Sequence, residues 1–347
     1  MDKAPFPRNK VCAGWITPAV VNELQIDLHD YQRERELQAI KGFRIGYLDN
    51  ETGGQETETC YDETVSYGIR RVEFDEYLLK RCGAELLLNN KVKTIEKFSD
   101  YWLVNNEIKA GVLIGAGGHF CPVARELGHK TGKNEVAVAA QEVEFEMDSQ
   151  QQASCNVSET TPVLYFCHDL QGYGWVFRKG NYLNIGLGRE DNYQLGEQVK
   201  TFCQFLKQQK IIEFDIEHRF QGHAYLLYNH AQRELVAERA LLIGDAAGLA
   251  YPQSGEGIRP AVESALFAAQ TLKDARYDFS KSKLMTYQDK MEQHFGKRQP
   301  LAGIMERMPE NIRIKLACQL ITRTWFARHV VMDRWFLHQH QAPVSIQ

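Results

Sequence analysis

The seventeen residues Leu242–Ile258, reading LIGDAAGLAYPQSGEGI, constrain the fold more than any other stretch of the chain. The apolar run Ala240–Ile243 is predicted to be a short buried strand, and it ends in Gly244, where backbone without a side chain can approach a ligand. Asp245 then sets a carboxylate at the strand's carboxyl end, where a sugar-like hydroxyl can be held. Gly248, Pro252, Gly255 and Gly257 shape the loop that follows, and a helix is predicted over Gly257–Lys273 with Ile258 near its start. The free amides and positive dipole end of such a helix suit a pyrophosphate or another electron-rich group. Strand, glycine loop and helix in this order point to an α/β protein that binds a ligand at the carboxyl ends of its strands.

At 347 residues the chain exceeds one ordinary core, so two lobes sharing an interface are expected. With 41 basic against 45 acidic residues, the formal charge of -4 gives no whole-molecule field that would draw in nucleic acid. Eight cysteines without a Cys-x-x-Cys pair suggest neither a zinc cage nor a disulfide framework, so a reducing cytoplasm and no metal are expected. No apolar run reaches the roughly 18 residues a membrane span needs, and Met1–Pro5 has no signal-peptide character.

Along the chain, Thr17–Leu37 has helix-like spacing and Phe43–Leu48 alternates as a strand. A strand over Thr64–Val72 and a helix over Phe74–Cys82 are expected next, then strands at Ala84–Leu88, Val92–Phe98, Tyr101–Val104 and Val112–Gly115. Glu135–Met147 and Pro162–Leu187 alternate apolar and aromatic residues about a turn at Lys179–Asn181, which predicts an antiparallel sheet. The polar stretch Asp148–Thr161 reads as a solvated loop, Glu197–Gln209 as a helix, Phe220–Leu227 as a strand and Ser280–His340 as consecutive helices.

The Leu242–Ile258 string resembles the second FAD-contacting motif of the family typified by para-hydroxybenzoate hydroxylase, geranylgeranyl reductases and flavin-dependent halogenases. Asp2–Gly14 (DKAPFPRNKVCAG) is similar to the stretch after the second Rossmann strand of geranylgeranyl reductases, and Tyr173–Gly180 (YGWVFRKG), followed by Asn184–Gly188 (NIGLG), to the aromatic strand lining their lipid cavity, with Arg178 replacing a proline. This resemblance implies FAD as cofactor, with NAD(P)H or another reductant supplying electrons. It implies cofactor contacts from Asp2, Arg8, Cys12, Gly14, Gly244, Asp245, Gly248, Pro252, Gly255, Gly257 and Ile258, and substrate contacts from Tyr173, Trp175 and Phe177. The fold implied is a Rossmann-like FAD/NAD(P)-binding domain (1–42, 64–130, 232–278), an antiparallel-sheet substrate domain (43–63, 131–231) and a helical C-terminal tail (279–347). The expected reaction is reduction of carbon–carbon double bonds in a prenyl or other hydrophobic substrate. No catalytic residue is fixed by the sequence, and Tyr173 and Cys12 are the two candidate proton donors. A flavin-dependent aromatic monooxygenase and a truncated, non-functional flavoprotein scaffold stand as alternatives.

Two departures from that family are visible. A Gly-x-Gly-x-x-Gly turn belongs about 20 residues before the acid matched by Asp2, where this chain has no residues to supply it. Gly115–Gly118 has Phe120 where a third glycine is needed, and instead matches in position the Gly-Ala-Asp-Gly region of flavin hydroxylases, with Gly117 in place of the aspartate and Arg125 as a weak phosphate candidate. The expectation is therefore a fold lacking its first strand, in which residues 1–347 alone hold FAD weakly and an extension of roughly 30 residues upstream restores binding. From Arg313 to Arg334 the tail interleaves basic and aromatic residues, so its helices are candidates for peripheral contact with a membrane surface.

Overall fold

The computed structural model describes residues 1–48, 55–129, 137–191, 194–231, 233–298 and 309–345. Glu135, at the expected start of a strand, residues 299–308 within the expected helical tail, and the domain bounds at 130, 131 and 232 lie outside the described residues.

A seven-stranded sheet dominates the molecule. Its order is Gln221–Leu226, Ala137–Glu146, Tyr182–Arg189, Gly172–Lys179, Val163–Phe166, Gly42–Tyr47 and Glu56–Cys60. All neighbours are antiparallel except Val163–Phe166 against Gly42–Tyr47, which run parallel. The sheet is covered on both faces. The helix Leu195–Gln208 presses Phe202 and Phe205 onto one side with Val143, Val163, Val176 and Ile185. On the other side Trp15, Phe43, Trp175 and Phe177 pack against Val331, Met332 and Phe336 from the C-terminal tail. Gly174 and Gly186 permit this double covering: a Cβ at Gly174 would lie 2.5 Å from the Phe202 ring and one at Gly186 would lie 2.1 Å from the Trp175 indole.

The second body is built around Ala240–Leu242, which pairs in parallel with Leu113–Gly115 and antiparallel with Val236–Ala237. Helices Ile258–Asp274 and Lys281–Phe295 pack on it through Ala268, Leu284, Tyr287 and Met291. A third small sheet orders Trp15–Ile16, Ser66–Ile69 and Leu37–Ile40.

Several expected elements come out differently. Thr17–Leu37 is no single helix: Pro18–Glu23 and Leu28–Gln32 are separate, broken at Gln25 with φ +49°, and Leu37 already belongs to a strand. Ala84–Leu88 forms no strand, because its backbone finds no ladder partner beyond the Asp2 N–H donating to the Leu87 carbonyl, and Leu86 stays 43% exposed. The polar stretch after Asp148 contains the helix Ser149–Ala153, started by a capping box in which the Asp148 carboxylate accepts from the Gln151 N–H and the Asp148 N–H donates to Gln151 Oε1. The tail ends in a π-helix, Ala327–Phe336, where ordinary α-helix was expected.

Candidate active site

Asp245 sits in the single helical turn Gly244–Ala247 that leaves the Ala240–Leu242 strand. Its Oδ2 lies 3.2 Å from Lys10 Nζ and 3.5 Å from His223 Nε2. Burial alone would raise this carboxyl, but Lys10 and His223 outweigh it and hold Asp245 well below the usual carboxylate range. The site therefore keeps a fixed anion with one cation beside it.

The loop after Asp245 folds on itself. The Gly255 N–H donates to the Tyr251 carbonyl, the Tyr251 N–H to the Glu256 carbonyl, and the Arg259 N–H to the Glu256 carboxylate, which closes the start of the helix Ile258–Asp274. Gly255 has φ +66°, and a Cβ there would fall 2.4 Å from Tyr225 Oη, so the backbone comes as close to that phenol as the absence of a side chain allows. Burial, with Glu263 adding to it, pushes the Glu256 carboxyl up to about 7. The Tyr173 hydroxyl reaches the same loop and donates to the Ser254 carbonyl.

The N-terminal turn meets these residues from the other side. Tyr173 and Tyr225 both lie within electrostatic reach of Cys12, and burial holds both phenols far into the alkaline range. Cys12 is clamped by the large sheet: its N–H donates to Glu142 and its carbonyl accepts from Asn184 Nδ2 at 3.2 Å. Asn184 also donates to Glu142 at 3.0 Å and accepts from Trp175 Nε1 at 2.8 Å, so one hydrogen-bonded chain joins the Cys12 turn to the aromatic strand. At Gly14, with φ +67°, a Cβ would collide with the Ile69 carbonyl at 2.3 Å and Lys179 Nζ at 2.4 Å.

Of the sequence-derived residues, Cys12, Tyr173, Asp245 and Gly255 thus converge on one cluster, and Gly257 joins it, since a Cβ there would lie 3.3 Å from Asp245 Oδ1. Gly244 and Gly248 bracket the Asp245 turn, and Ile258 begins the helix. Asp2 and Arg8 lie apart from Asp245's immediate partners, paired with each other at 3.8 Å; Arg8 also reaches Asp75 at 3.9 Å. Asp75 is held by Arg71, which lies against Cys12, so Arg8 is tied to the cluster through two intermediates. Pro252 faces a cavity on the far side of the loop. Trp175 and Phe177 are buried under Trp15 and the C-terminal tail. Arg125 is exposed.

Lys10, His223, Tyr225, Glu142 and Asn184 escaped the sequence reading as site residues. Lys10 and Asn184 lay inside stretches matched to the reductases and could have been taken from them, whereas the others meet the site only through strand register.

Both cations near the buried acid pair go to Glu144, with Lys179 at 2.7 Å and Arg70 at 3.2 Å, while Glu142 accepts from the neutral Cys12 N–H and Asn184 amide. Burial pushes Glu142 up to about 8 from the ordinary 4.5 despite Lys179. A group raised in the fold contributes stability that is whole below its unfolded value and is lost as pH rises through its folded value. The protein is therefore expected to lose stability as pH climbs from about 5 to about 9, and Glu142→Gln to flatten that fall. Thermal midpoints of both proteins across this range check it; parallel curves would rule Glu142 out as the source.

The residues fit the isoalloxazine and ribityl end of a flavin dinucleotide. Gly14 and Gly255 make close-approach points that a Cβ would block, Asp245 offers an acceptor, and Lys10 supplies positive charge. For the pyrophosphate, the described residues offer no Gly-x-Gly-x-x-Gly turn: Gly115–Gly118 follows the strand Leu113–Gly115 but has Phe120 in the third glycine's place, and the strand's edge away from Ala240–Leu242 pairs with no described strand.

No family model matches the chain. It is 26% identical over 321 residues to digeranylgeranylglycerophospholipid reductase 3 of Methanosphaera stadtmanae, covering 85% of this chain and 76% of that protein. It is 29% identical over 278 residues to digeranylgeranylglycerophospholipid reductase of Methanocaldococcus jannaschii, covering 74% and 67%. Menaquinone reductase of Mycobacterium tuberculosis is 28% identical over 300 residues, covering 78% and 69%. Among solved structures, a geranylgeranyl bacteriochlorophyll reductase-like protein from Thermoplasma acidophilum superposes with a TM-score of 0.74 at 20% identity, over 97% of this chain and 90% of that one. The halogenase PltM in complex with FAD gives 0.64 at 17% identity over 83% and 67%, and PqsL of Pseudomonas aeruginosa, a probable FAD-dependent monooxygenase, gives 0.60 at 18% over 92% and 87%. In sequence along most of its length, and in fold, the chain is a relative of the geranylgeranyl reductase family of FAD-dependent oxidoreductases.

Proposed function

We propose that this protein is an FAD-dependent reductase of carbon–carbon double bonds in a prenyl or other hydrophobic substrate. The observation that carries this reading is the likeness, over about three quarters of the chain, to proteins named for reducing prenyl-bearing lipids and quinones. The halogenase and monooxygenase likenesses lie below 20% identity and support the fold alone.

Bound FAD supplies the hydride, after reduction by NAD(P)H or another electron donor. The chain's own residues do the rest. Asp245 would accept from the ribityl hydroxyls, and Cys12 and Gly14 would line the flavin from the N-terminal turn, whereas the Ile258 and Arg259 amides at the helix start are already held by the Glu256 carboxylate. Tyr173, which also reaches the Ser254 carbonyl, is the proposed contact for an apolar chain, while Trp175 and Phe177, packed under Trp15 and the C-terminal tail, back it and exclude water. Double-bond reduction needs a proton on the second carbon; the Tyr173 hydroxyl and the Cys12 thiol are the donors proposed. The dinucleotide-binding role falls to 1–42, 64–130 and 232–278, the substrate role to 43–63 and 131–231.

We also place the C-terminal helices at a membrane surface. Among the described residues no helix is long and apolar enough to cross a membrane. Ile312, Leu316 and Trp325 are nevertheless exposed at 50%, 37% and 68%, beside Arg313, Lys315, Arg323 and Arg328, which is the pattern of an interfacial helix. The reductase reading is tested by incubating the protein with FAD, a reductant and a prenyl lipid without oxygen. Saturation of the prenyl chain is expected; product that forms only with oxygen and carries a new hydroxyl would replace this reading with the monooxygenase one.

A further inference from the structure

A cavity of about 360 Å3 lies beside the loop Tyr251–Gln253, and neither Asp245 nor its partners Lys10 and His223 line it. Trp335 and Phe295 form apolar wall, and Gln253, Arg334, His338 and His340 supply its polar lining; among the described residues none that lines it is acidic. His338 is only 5% exposed, yet its Nε2 has no hydrogen-bond partner among the described residues. The ring is held in place by stacking on Tyr251 at 3.5 Å between centroids, with backbone φ +47°, a conformation that a non-glycine residue keeps only where its surroundings impose it. The His338 carbonyl is pinned by the buried Arg259 guanidinium at 3.2 Å. Burial, then Arg259 and His340, push the imidazole down to about 3, so it is neutral under ordinary conditions. Arg334 is exposed and makes no ion pair among the described residues, and with burial and Arg259 it pushes His340 down too. A buried polar nitrogen without a partner facing a cavity of positive field is unfavourable unless a ligand completes it.

We propose that this cavity binds a phosphate group, with the Arg334 guanidinium supplying the charge and His338, in the tautomer protonated on Nε2, donating one hydrogen bond. Donors approach from separate side chains, which a tetrahedral group with several oxygens satisfies better than a planar carboxylate. The carboxylates closest to the cavity's wall are already engaged: Glu263 faces Arg259, His294 and the Tyr251 hydroxyl, and Glu23 accepts from the Val344 N–H. The assignment is independent of the flavin chemistry, so it stands or falls by binding alone. The phosphate belongs either to an amphiphile, whose apolar part would meet Trp335, or to free phosphate.

Equilibrium binding followed by phosphorus NMR separates these, using the full chain with inorganic phosphate, dihexanoyl phosphatidic acid and, by competition, dihexanoylglycerol. The phosphate-bearing probes are expected to bind and dihexanoylglycerol not to compete. Arg334→Gln should weaken binding at least about tenfold. His338→Phe, which keeps the stacking on Tyr251, should weaken it several-fold, while Arg313→Gln should leave it unchanged. Tighter binding of phosphatidic acid than of inorganic phosphate assigns the site to a lipid headgroup; equal affinity assigns it to free phosphate, and both uphold it. Absence of binding by the unaltered protein at millimolar phosphate overturns the proposal without recourse to any variant. So does a loss in Arg313→Gln as large as that in Arg334→Gln, which would put the anion on the basic helix.

Discussion

Gly186→Ala is expected to destabilise the protein by about 3 kcal/mol, the upper part of the range for overpacking a well-filled core together with one lost buried hydrogen bond. The strand Tyr182–Arg189 lies under Trp175, and a Cβ at position 186 would stand 2.1 Å from the indole. The ring cannot rise, because the Trp15, Phe336 and Tyr173 rings close the space above the sheet, and tilting it would break the bond from Trp175 Nε1 to Asn184. Urea denaturation of the two proteins measures the change. A midpoint shift corresponding to under about 0.5 kcal/mol would show that the aromatic layer is looser than its contacts imply.

Asp245→Ala should weaken riboflavin binding about 10- to 100-fold, the equivalent of a charge-assisted hydrogen bond of about 1.5–3 kcal/mol. Riboflavin is the right probe, since it carries the isoalloxazine and ribityl parts that these residues fit. The substitution also leaves Lys10 and His223 without their shared anion, adding like-charge crowding whenever His223 is protonated. Flavin fluorescence titration gives the affinity, and circular dichroism confirms the fold. Equal affinity in both proteins would remove Asp245 from the flavin site.

Local signals carried much of the fold. The strand-loop-helix unit at Ala240–Asp274 and the aromatic strands at Gly172–Arg189 fall where sequence pattern puts them, because a buried strand, an obligatory glycine turn and a period of two are properties of neighbouring residues. Ala84–Leu88 shows the limit: five apolar-leaning residues have strand character, but a strand exists only with a partner. The helix after Asp148 was legible in principle, since Asp-x-x-Gln is a capping box, yet the Gln- and Ser-rich composition masked it.

The site was legible only in part. Asp245, Gly255 and Cys12 stand in recognisable strings, while the groups that set their electrostatics arrive from far away in sequence: Lys10 is 235 residues from Asp245 and Glu142 is 130 from Cys12. Glu142 reads as an ordinary polar position of a half-exposed strand, and Asn184 stands in a matched stretch that assigns it no role. They are buried at 3% and 0% exposure because this sheet is covered on both faces, which alternation along a single strand does not reveal.

The most direct test of the reductase assignment is the isotopic content of the product after an anaerobic turnover in heavy water with FAD, dithionite as reductant and a prenyl lipid. If flavin hydride transfer and protonation by the protein saturate the double bond, each reduced bond gains two hydrogens, and the one delivered by a solvent-exchanging acid such as Tyr173 or Cys12 is deuterium. Unchanged lipid under these conditions, or conversion that requires oxygen, would contradict the account.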